Sequence, residues 1–321
     1  MTPGEAPRTA VVLANPAARR ALPSRALEAA ADAIRERDWH VTIEETSSAS
    51  ATRERAAHHA ANGVDAILAC GGDGTLLTVV NGVLAADAGH RVAVGVVPAG
   101  TANVWAAEAG VPGSPQRALA LLASGARRRM DVGVARIGDE DSPRVRFLLV
   151  CGVGLDAAVI EAVDARPAWK RHLGRLAFGP PALAALLRSR AVEARIVLDG
   201  EELHAARLIL GLASNNGRYG GVAALSSAGA ADDGLLEVTL FEASRSPIDR
   251  GRLVGELLRG RFDQRAVAGV THRQARAITI TPIAPLPVEV DGDSIGRCGP
   301  DAPLHIEVER QALTMIVGPR A

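Results

Sequence analysis

Five consecutive residues, Gly71-Gly72-Asp73-Gly74-Thr75, have the composition of a phosphate-binding turn. An apolar run at residues 65–70, typical of a buried strand, precedes them, and an apolar pattern of helical spacing follows at residues 76–86. The glycines therefore lie where a strand leads into a helix N-terminus, at which unpaired N–H groups and the helix dipole attract a phosphate. Asp73 is the exception, because a carboxylate repels a phosphate unless it holds a metal ion, holds the water of a metal ion, or takes up a proton.

A second turn of similar character follows the strand-like run at residues 92–97. It reads Pro98-Ala99-Gly100-Thr101-Ala102-Asn103, and it again precedes a helical pattern. Beside the first turn, it could complete a cradle for one triphosphate. An ordinary helix start, in which Thr101 or Asn103 bonds the backbone, explains the same residues without a ligand.

The composition limits the classes of protein to which the chain can belong. Its 321 residues suffice for two domains, and its formal net charge of zero argues against a nucleic-acid binder held by a global basic field. The 3 cysteines lack CxxC spacing, which favours a reducing compartment, no zinc site and a packing role for each thiol. No membrane-spanning run and no signal peptide are visible, so we expect a cytoplasmic protein. A P-loop is excluded because the only lysine, Lys170, is far from the glycines.

The order of strand and helix signals predicts two domains. These signals alternate in the first third of the chain, which predicts an α/β domain with a parallel sheet at residues 1–127. Strand signals dominate residues 128–321, which predicts a mostly antiparallel β domain. Helical insertions in it are expected near residues 155–163, 173–190 and 248–258. Whether the last strand returns to the first domain is left open.

Besides the two turns at residues 71–75 and 98–103, short motifs occur at residues 15–16, 152–157, 215–221, 233–236 and 291–293. In their order and spacing, these motifs resemble the diacylglycerol kinase catalytic-domain family of lipid kinases, which includes the sphingosine kinases. The resemblance covers nearly the whole chain and implies a fold like that of NAD kinase and diacylglycerol kinase.

The resemblance implies an ATP-dependent lipid kinase, with the nucleotide in the cleft between the two domains. Such an enzyme transfers the γ-phosphate of ATP to the hydroxyl of a diacylglycerol-like or related lipid. Asp73 would help to organise Mg²⁺ through water, because Mg²⁺ keeps several of its waters in proteins. The nucleotide-binding residues that the resemblance implies are Asn15, Gly71, Gly72, Gly74, Thr75, Gly100, Thr101 and Asn103.

Carboxylates of the second domain complete the implied site. Asp291-Gly292-Asp293 stands where the family has its DGE motif, and one of the two carboxylates is the implied base for the lipid hydroxyl. Asp-Gly is also a strong hairpin signal, which gives Asp291 a purely structural interpretation. Asp233 and Leu235 lie in a loop that resembles the one that holds a structural Mg²⁺ in some bacterial members, through carboxylates and backbone carbonyls. Ala230 stands where a side-chain ligand would help.

A basic segment at residues 166–190 is typical of contact with lipid. It has arginines, one lysine and no acidic residue, and aromatic and apolar side chains are interleaved. This composition suits an anionic membrane surface, although a solvated helix face with a core stripe has the same pattern. The candidate lipid-contact residues are Trp169, Lys170, Arg171 and Arg175. We therefore expect an enzyme peripheral to the membrane that binds nucleotide and lipid but no nucleic acid; a homodimer stays open.

Two other functions share part of this pattern. NAD kinase has the GGDGT element and a related fold, but residues 100–103 and 291–293 fit the lipid kinases better. A nucleotide-binding regulator without kinase activity is the second alternative. It would follow if departures from the family motifs, such as Asp293 in place of the glutamate of DGE, abolished metal or lipid binding. The presence of Asp73 argues against the regulator.

Overall fold

The structure is a computed structural model, and it describes residues 8–15, 24–36, 38–155, 157–158, 191–215, 218–219, 223–224, 231–242 and 269–319. The chain divides into two compact units. Unit 1 comprises Met1–Met130 and Gln311–Ala321, and unit 2 comprises Asp131–Arg310. The helices predicted at residues 173–190 and 248–258, and most of the one at residues 155–163, lie outside the described residues.

Unit 1 is built on a parallel β-sheet. Its strands β1 (Arg8–Ala14), β2 (Trp39–Glu45), β3 (Ala66–Gly71) and β4 (Ala93–Pro98) have the spatial order β2-β1-β3-β4. Every residue of β3 is buried, as expected for a strand that is covered on both faces. The described helices are α1 (Ser24–Arg35), α2 (Ala49–Ala61), α3 (Asp73–Ala85), α4 (Val104–Glu108) and α5 (Pro115–Ser124).

The connections between these strands place helices on both faces of the sheet. The chain moves from β1 to β2 through α1 in one direction, and from β2 to β3 and on to β4 through α2 and α3 in the other. Because parallel crossovers are right-handed, α1 and its neighbour α5 lie on one face, and α2 and α3 pack together on the other. The direction of the connections reverses between β1 and β3, so their carboxyl ends form a topological switch point.

Two long strands carry the chain from one unit to the other. β5 (Ala126–Ile137) leaves unit 1, and β17 (Leu304–Val317) returns to it. Thr314 and Met315 of β17 pair in parallel with Ala93 and Val94 of β4. The end of β17 therefore adds a strand to the sheet of unit 1.

Unit 2 is dominated by antiparallel pairs. The strand Glu201–Ser214 pairs with the strands Val150–Gly154, Val192–Leu198 and Leu236–Glu242. The strand Ala277–Pro282 pairs with Val192–Leu198 and with β17. Its core includes Phe147, Ile196, Leu208 and Leu304, which have no exposed surface; burial of each contributes about 1.5–3 kcal/mol. The described strands besides β5 and β17 are β6 (Val145–Phe147), β7 (Val150–Gly154), β8 (Val192–Leu198), β9 (Glu201–Ser214), β10 (Arg218–Tyr219), β11 (Ala223–Ala224), β12 (Leu236–Glu242), β13 (Val270–Ala275), β14 (Ala277–Pro282), β15 (Leu286–Val290) and β16 (Asp293–Cys298).

The predicted fold class is confirmed, since a parallel α/β region comes first and antiparallel strands follow. Some elements differ from the sequence pattern. The pattern predicts a helix over residues 101–109, but α4 begins at Val104 because Asn103 has left-handed backbone angles, with φ of 48°. The pattern also predicts two strands at residues 304–309 and 314–317, where the structure has the continuous strand β17.

Candidate functional site

Three motifs of unit 1 meet at the carboxyl ends of its strands. Asn15 follows β1, and its N–H donates to the carbonyl of Cys70 in β3 at 3.2 Å. The N–H of Ala99, after β4, donates to the carbonyl of Gly71 at 2.8 Å. Asn15 and the two glycine-rich turns therefore share the edge of the sheet where the topological switch point lies, which is where ligands of such sheets bind.

The two glycine-rich turns pack backbone to backbone. A Cβ atom added at Gly100 would lie 2.5 Å from the Cα atom of Gly72 and 2.7 Å from Oδ1 of Asn103. Cβ atoms essentially never approach other atoms so closely, so only glycine fits at position 100. At position 71, an added Cβ would meet the side chain of Thr75.

The carboxylate of Asp73 joins the two turns. Its Oδ2 accepts a hydrogen bond from the N–H of Val104, and its Oδ1 accepts one from the N–H of Trp105, both at 3.0 Å. These N–H groups lie in the first turn of α4, where the N-cap residue Asn103 makes no side-chain capping bond. Asp73, in the first turn of α3, therefore caps α4, and its negative charge is favourable at both helix N-termini.

The side chain of Asn103 forms hydrogen bonds with the backbone of its own turn. Its Oδ1 accepts from the N–H of Gly100 at 2.9 Å, and its Nδ2 donates to the carbonyl of Gly100 at 3.0 Å. Asparagine is among the residues that tolerate the left-handed conformation found here. Its contacts match the interpretation in which Asn103 bonds the backbone of the turn.

The N-terminus of α3 has different surroundings from that of α4. Its N-cap residue is Gly72, which provides no side-chain cap. A Cβ atom added at Gly74 would have no atom within 4 Å. Because the first N–H groups of an α-helix have no intrahelical partner, α3 has backbone donors that no N-cap side chain satisfies, whereas Asp73 binds two of those of α4. This arrangement suits an anion at α3.

The cysteines are buried and serve packing. Burial raises the pKa of the Cys70 thiol, which precedes the glycine turn, to about 11. Burial also raises the pKa of Cys298 to about 11. Both groups are neutral thiols at neutral pH and therefore weak nucleophiles.

Asp291 and Gly292 form the two-residue turn of the β15–β16 hairpin. Both have positive φ angles, 48° and 92°, as in a type I′ turn. The carboxylate of Asp291 accepts hydrogen bonds from the backbone N–H groups of residues 148–150 at 2.8, 3.0 and 2.9 Å. A proton moving onto this carboxylate would disrupt those bonds. Asp293, by contrast, is exposed at the beginning of β16.

The turn at residues 231–235 is closed by hydrogen bonds of its own. Oδ1 of Asp233 accepts from the N–H of Leu235 at 2.9 Å. Oδ2 of the buried Asp131 accepts from the N–H of Gly234 at 2.6 Å, and the N–H of Asp131 donates to the carbonyl of Ala231 at 2.7 Å. Across the described ranges, no group of three or more His, Cys, Asp or Glu side chains is placed to hold a metal ion.

Two buried carboxylates, Asp131 and Glu289, organise these turns but do not stand out in the sequence analysis. Oε2 of Glu289 accepts from the N–H of Gly292 at 2.8 Å. The signal that could have identified them is an acidic residue inside an apolar strand pattern. Ala230 and the candidate lipid-contact residues Trp169, Lys170, Arg171 and Arg175 lie outside the part of the chain that the structure describes.

The fold is that of the class shared by diacylglycerol kinases and NAD kinases, and comparison with protein families assigns the chain to one family within this class. A family model described as the diacylglycerol kinase catalytic domain matches residues 9–135. A second, described as the YegS C-terminal NAD kinase beta sandwich-like domain, matches residues 150–317. The chain therefore belongs to the diacylglycerol kinase family of lipid kinases.

Named relatives agree with this assignment. A protein of Xanthomonas campestris named "Probable lipid kinase YegS-like" is 30% identical over 287 residues, which is 88% of each chain. A Mycobacterium tuberculosis protein named "Diacylglycerol kinase" is 34% identical over 184 residues, and the match spans 57% of this chain and 57% of the relative's own length.

Solved structures show the same fold. A diacylglycerol kinase from Bacillus anthracis superposes with a TM-score of 0.71 and 19% identity, and the match covers 98% of this chain and 97% of that one. An NAD kinase from Archaeoglobus fulgidus, in complex with ATP, superposes with a TM-score of 0.51 and 13% identity over 96% of this chain and 93% of that one. The NAD kinase is therefore less similar to this chain, in both fold and sequence, than the diacylglycerol kinase is.

Replacing Asp73 with Asn is expected to destabilise unit 1 in the absence of any ligand. The amide has one acceptor oxygen and carries no charge, so one N–H of α4 loses its partner at a cost of about 1–3 kcal/mol. Thermal unfolding of the ligand-free protein measures the loss. Asp87→Asn, at an exposed left-handed position that suits Asn, is the control and should unfold like the wild type. Unchanged unfolding of Asp73→Asn would show that the capping bonds do not stabilise the protein.

Replacing Gly100 with Ala is expected to separate the two glycine turns. The added methyl group cannot coexist with the Cα of Gly72, and such overpacking typically costs about 1–3 kcal/mol. Gly74→Ala is the matched control, because its methyl group meets nothing and alanine favours a helix. Urea unfolding should show a lower midpoint for Gly100→Ala only; equal midpoints would contradict the close packing of the turns.

Proposed function

We propose that the protein is an ATP-dependent lipid kinase that transfers the γ-phosphate of ATP to the hydroxyl of a diacylglycerol-like or related lipid. The observation that carries this proposal is the N-terminus of α3, which has no side-chain cap and lies at the switch point of a parallel sheet. Membership of a lipid-kinase family supports it. Phosphoryl transfer depends mostly on positioning and charge neutralisation, and preorganised backbone donors supply both.

The phosphates of the nucleotide would bind the first turn of α3, at Gly72, Gly74 and Thr75. Mg²⁺ carried by ATP would neutralise charge on the phosphates. Each carboxylate oxygen of Asp73 accepts one backbone hydrogen bond and keeps a further lone pair. Asp73 therefore fits a role toward Mg²⁺ that runs through water better than one of direct ligation.

Asp293 is our candidate for the base that takes the proton of the lipid hydroxyl. An alcohol is a weak nucleophile until its proton is removed, and an exposed carboxylate can accept that proton. The carboxylate of Asp291 already accepts three backbone hydrogen bonds. We propose that Asp291 is a positioning residue, which fixes the turn from which Asp293 extends.

The lipid would come from a membrane surface, to which the protein would bind from the cytoplasm. The basic segment with Trp169, Lys170, Arg171 and Arg175 supports this part of the proposal through its composition. In the described part of the chain, no helix combines the length and apolar character needed to cross a membrane.

Phosphorylation of NAD is the second candidate activity, because the fold is related to that of an NAD kinase. A nucleotide-binding regulator is the third. A single assay separates all three: the purified protein is given γ-labelled ATP and Mg²⁺ with diacylglycerol, sphingosine, phosphatidylglycerol or NAD in turn. We expect label in at least one lipid. Label in NAD alone would overturn the proposal, and ATP binding without any transfer would favour the regulator.

The two acidic residues of the hairpin should respond differently to replacement. Asp293→Asn is expected to lower kcat by about 10²-fold or more, as for loss of a general base, with unchanged thermal unfolding. Asp291→Asn is expected to lower the unfolding temperature as well, because one of its three bonds is lost. Asp301→Asn, another exposed carboxylate of unit 2, should match the wild type in both. Wild-type kcat for Asp293→Asn would remove it as the base.

A further inference from the structure

The segment that follows β17 contacts the C-terminal end of α4. The N–H of Gly318 donates a hydrogen bond to the carbonyl of Ala109, the C-cap residue of α4, at 2.9 Å. A Cβ atom added at Gly318 would lie 2.6 Å from the carbonyl carbon of Gly110 and closer still to its oxygen. One added at Gly110 would lie 3.1 Å from the carbonyl oxygen of Pro319. The backbones of the two glycines therefore touch, and both residues belong to unit 1.

The hydrogen bond from Gly318 completes the C-terminus of α4. The helix ends in a Schellman-type turn, in which the N–H of Val111 donates to the carbonyl of Ala106 at 2.8 Å and Gly110 has a φ of 66°. The carbonyl of Ala109 lies outside this pattern and is the one that Gly318 binds. Because the last carbonyls of a helix have no intrahelical partner, this bond supplies an anchor from another part of the chain.

The anchor is itself fixed in the sheet of unit 1. Thr314 and Met315 of β17 pair with β4, and the N–H of Thr314 also donates to the carbonyl of Gly89 at 2.8 Å. Gly318 is buried. Since β4 leads directly into the second glycine turn and then into α4, the contact at Gly318 closes a loop of structure that begins and ends at neighbouring strands.

The short helix α4 is thus held at both ends. Asp73 binds N–H groups of its first turn, and Gly318 binds its last carbonyl. A helix of 5 residues is roughly 7–8 Å long, so a shift of its C-terminal end also moves its first turn. That turn follows directly on the second glycine turn, in which Gly100 packs against Gly72.

We propose that Gly318 is a positioning residue of the nucleotide site. By fixing the C-terminal end of α4, it keeps the turn at residues 98–103 and the hydrogen bonds of Asp73 in the arrangement that the phosphates of the nucleotide require. Only glycine fits at this position, because any Cβ atom would collide with the carbonyl group of Gly110. The inference rests on the proposed function, since it presupposes that a nucleotide binds at these turns.

The test measures the dissociation constant of MgATP by calorimetry, on the full chain and well below the unfolding midpoint of every variant. Gly318→Ala is expected to bind about 5–20-fold more weakly than the wild type, because a misplacement of about 1 Å can cost as much as about 10²-fold at a site. Gly113→Ala is the matched control. It adds the same methyl group in the loop after α4, where a Cβ atom meets nothing within 4 Å, and it should bind like the wild type.

Gly110→Ala presses on the same contact from the other side. It is expected to weaken MgATP binding by about 2–5-fold, because the displacement is smaller. The change also places alanine at a positive φ, so Gly63→Ala is its control. Gly63 has a φ of 79° with no atom within 4 Å of an added Cβ, and it precedes β3, at the other edge of the sheet. Gly63→Ala should lower the unfolding temperature without weakening binding.

The outcomes separate a positioning role from a structural one. If Gly318→Ala unfolds at a lower temperature but binds MgATP like the wild type, the inference is overturned. Equal weakening by Gly113→Ala or Gly63→Ala would also overturn it. If Gly318→Ala does not fold, the comparison of Gly110→Ala with Gly63→Ala decides. A wild type that does not bind MgATP would overturn the proposed function and this inference together, whereas equal binding by the wild type and both α4-contact variants would overturn the inference alone.

Discussion

The hydrogen bonds between the carboxylate of Asp73 and the N-terminus of α4 are the interaction on which the arrangement of the strand ends in unit 1 depends. α4 has 5 residues, far fewer than an isolated helix needs for stability. Its direction is therefore set by what binds it, and Asp73 binds its first two N–H groups. Since Asp73 itself belongs to α3, the two turns are held as one piece, and the close contact of Gly72 with Gly100 follows.

The same hydrogen bonds explain how a carboxylate can lie in a phosphate-binding glycine turn. A carboxylate in a phosphate-binding turn is unfavourable if it faces the phosphate, but Asp73 is directed at the backbone of α4. Its charge is compensated by the N-termini of two helices, so the donors of α3 stay available beside it. The motif thus separates a group that shapes the turn from the groups that bind an anion.

The elements and turns that the sequence predicts well are those determined by residues within one short segment. β3 and α3 were predictable because an apolar strand, glycines and a helical pattern follow each other within a short segment, and the Asp-Gly turn of β15–β16 was predictable from its residue types. The partners of Asp73 were not, because the N–H groups of Val104 and Trp105 become neighbours only through the tertiary fold. The contacts of Asp131 and Arg310 with Gly234 could not be predicted for the same reason, because they join segments that are distant along the chain.

The return of β17 to unit 1 has a consequence for biosynthesis. Domains generally fold as they emerge from the ribosome, the N-terminal one first, but the sheet of unit 1 gains its pairing with Thr314 and Met315 only after all of unit 2 has been translated. Until then, β4 presents an unpaired strand edge, which is a site for misassociation between chains. The sheet of a nascent unit 1 therefore stays incomplete until the end of β17 has been synthesised.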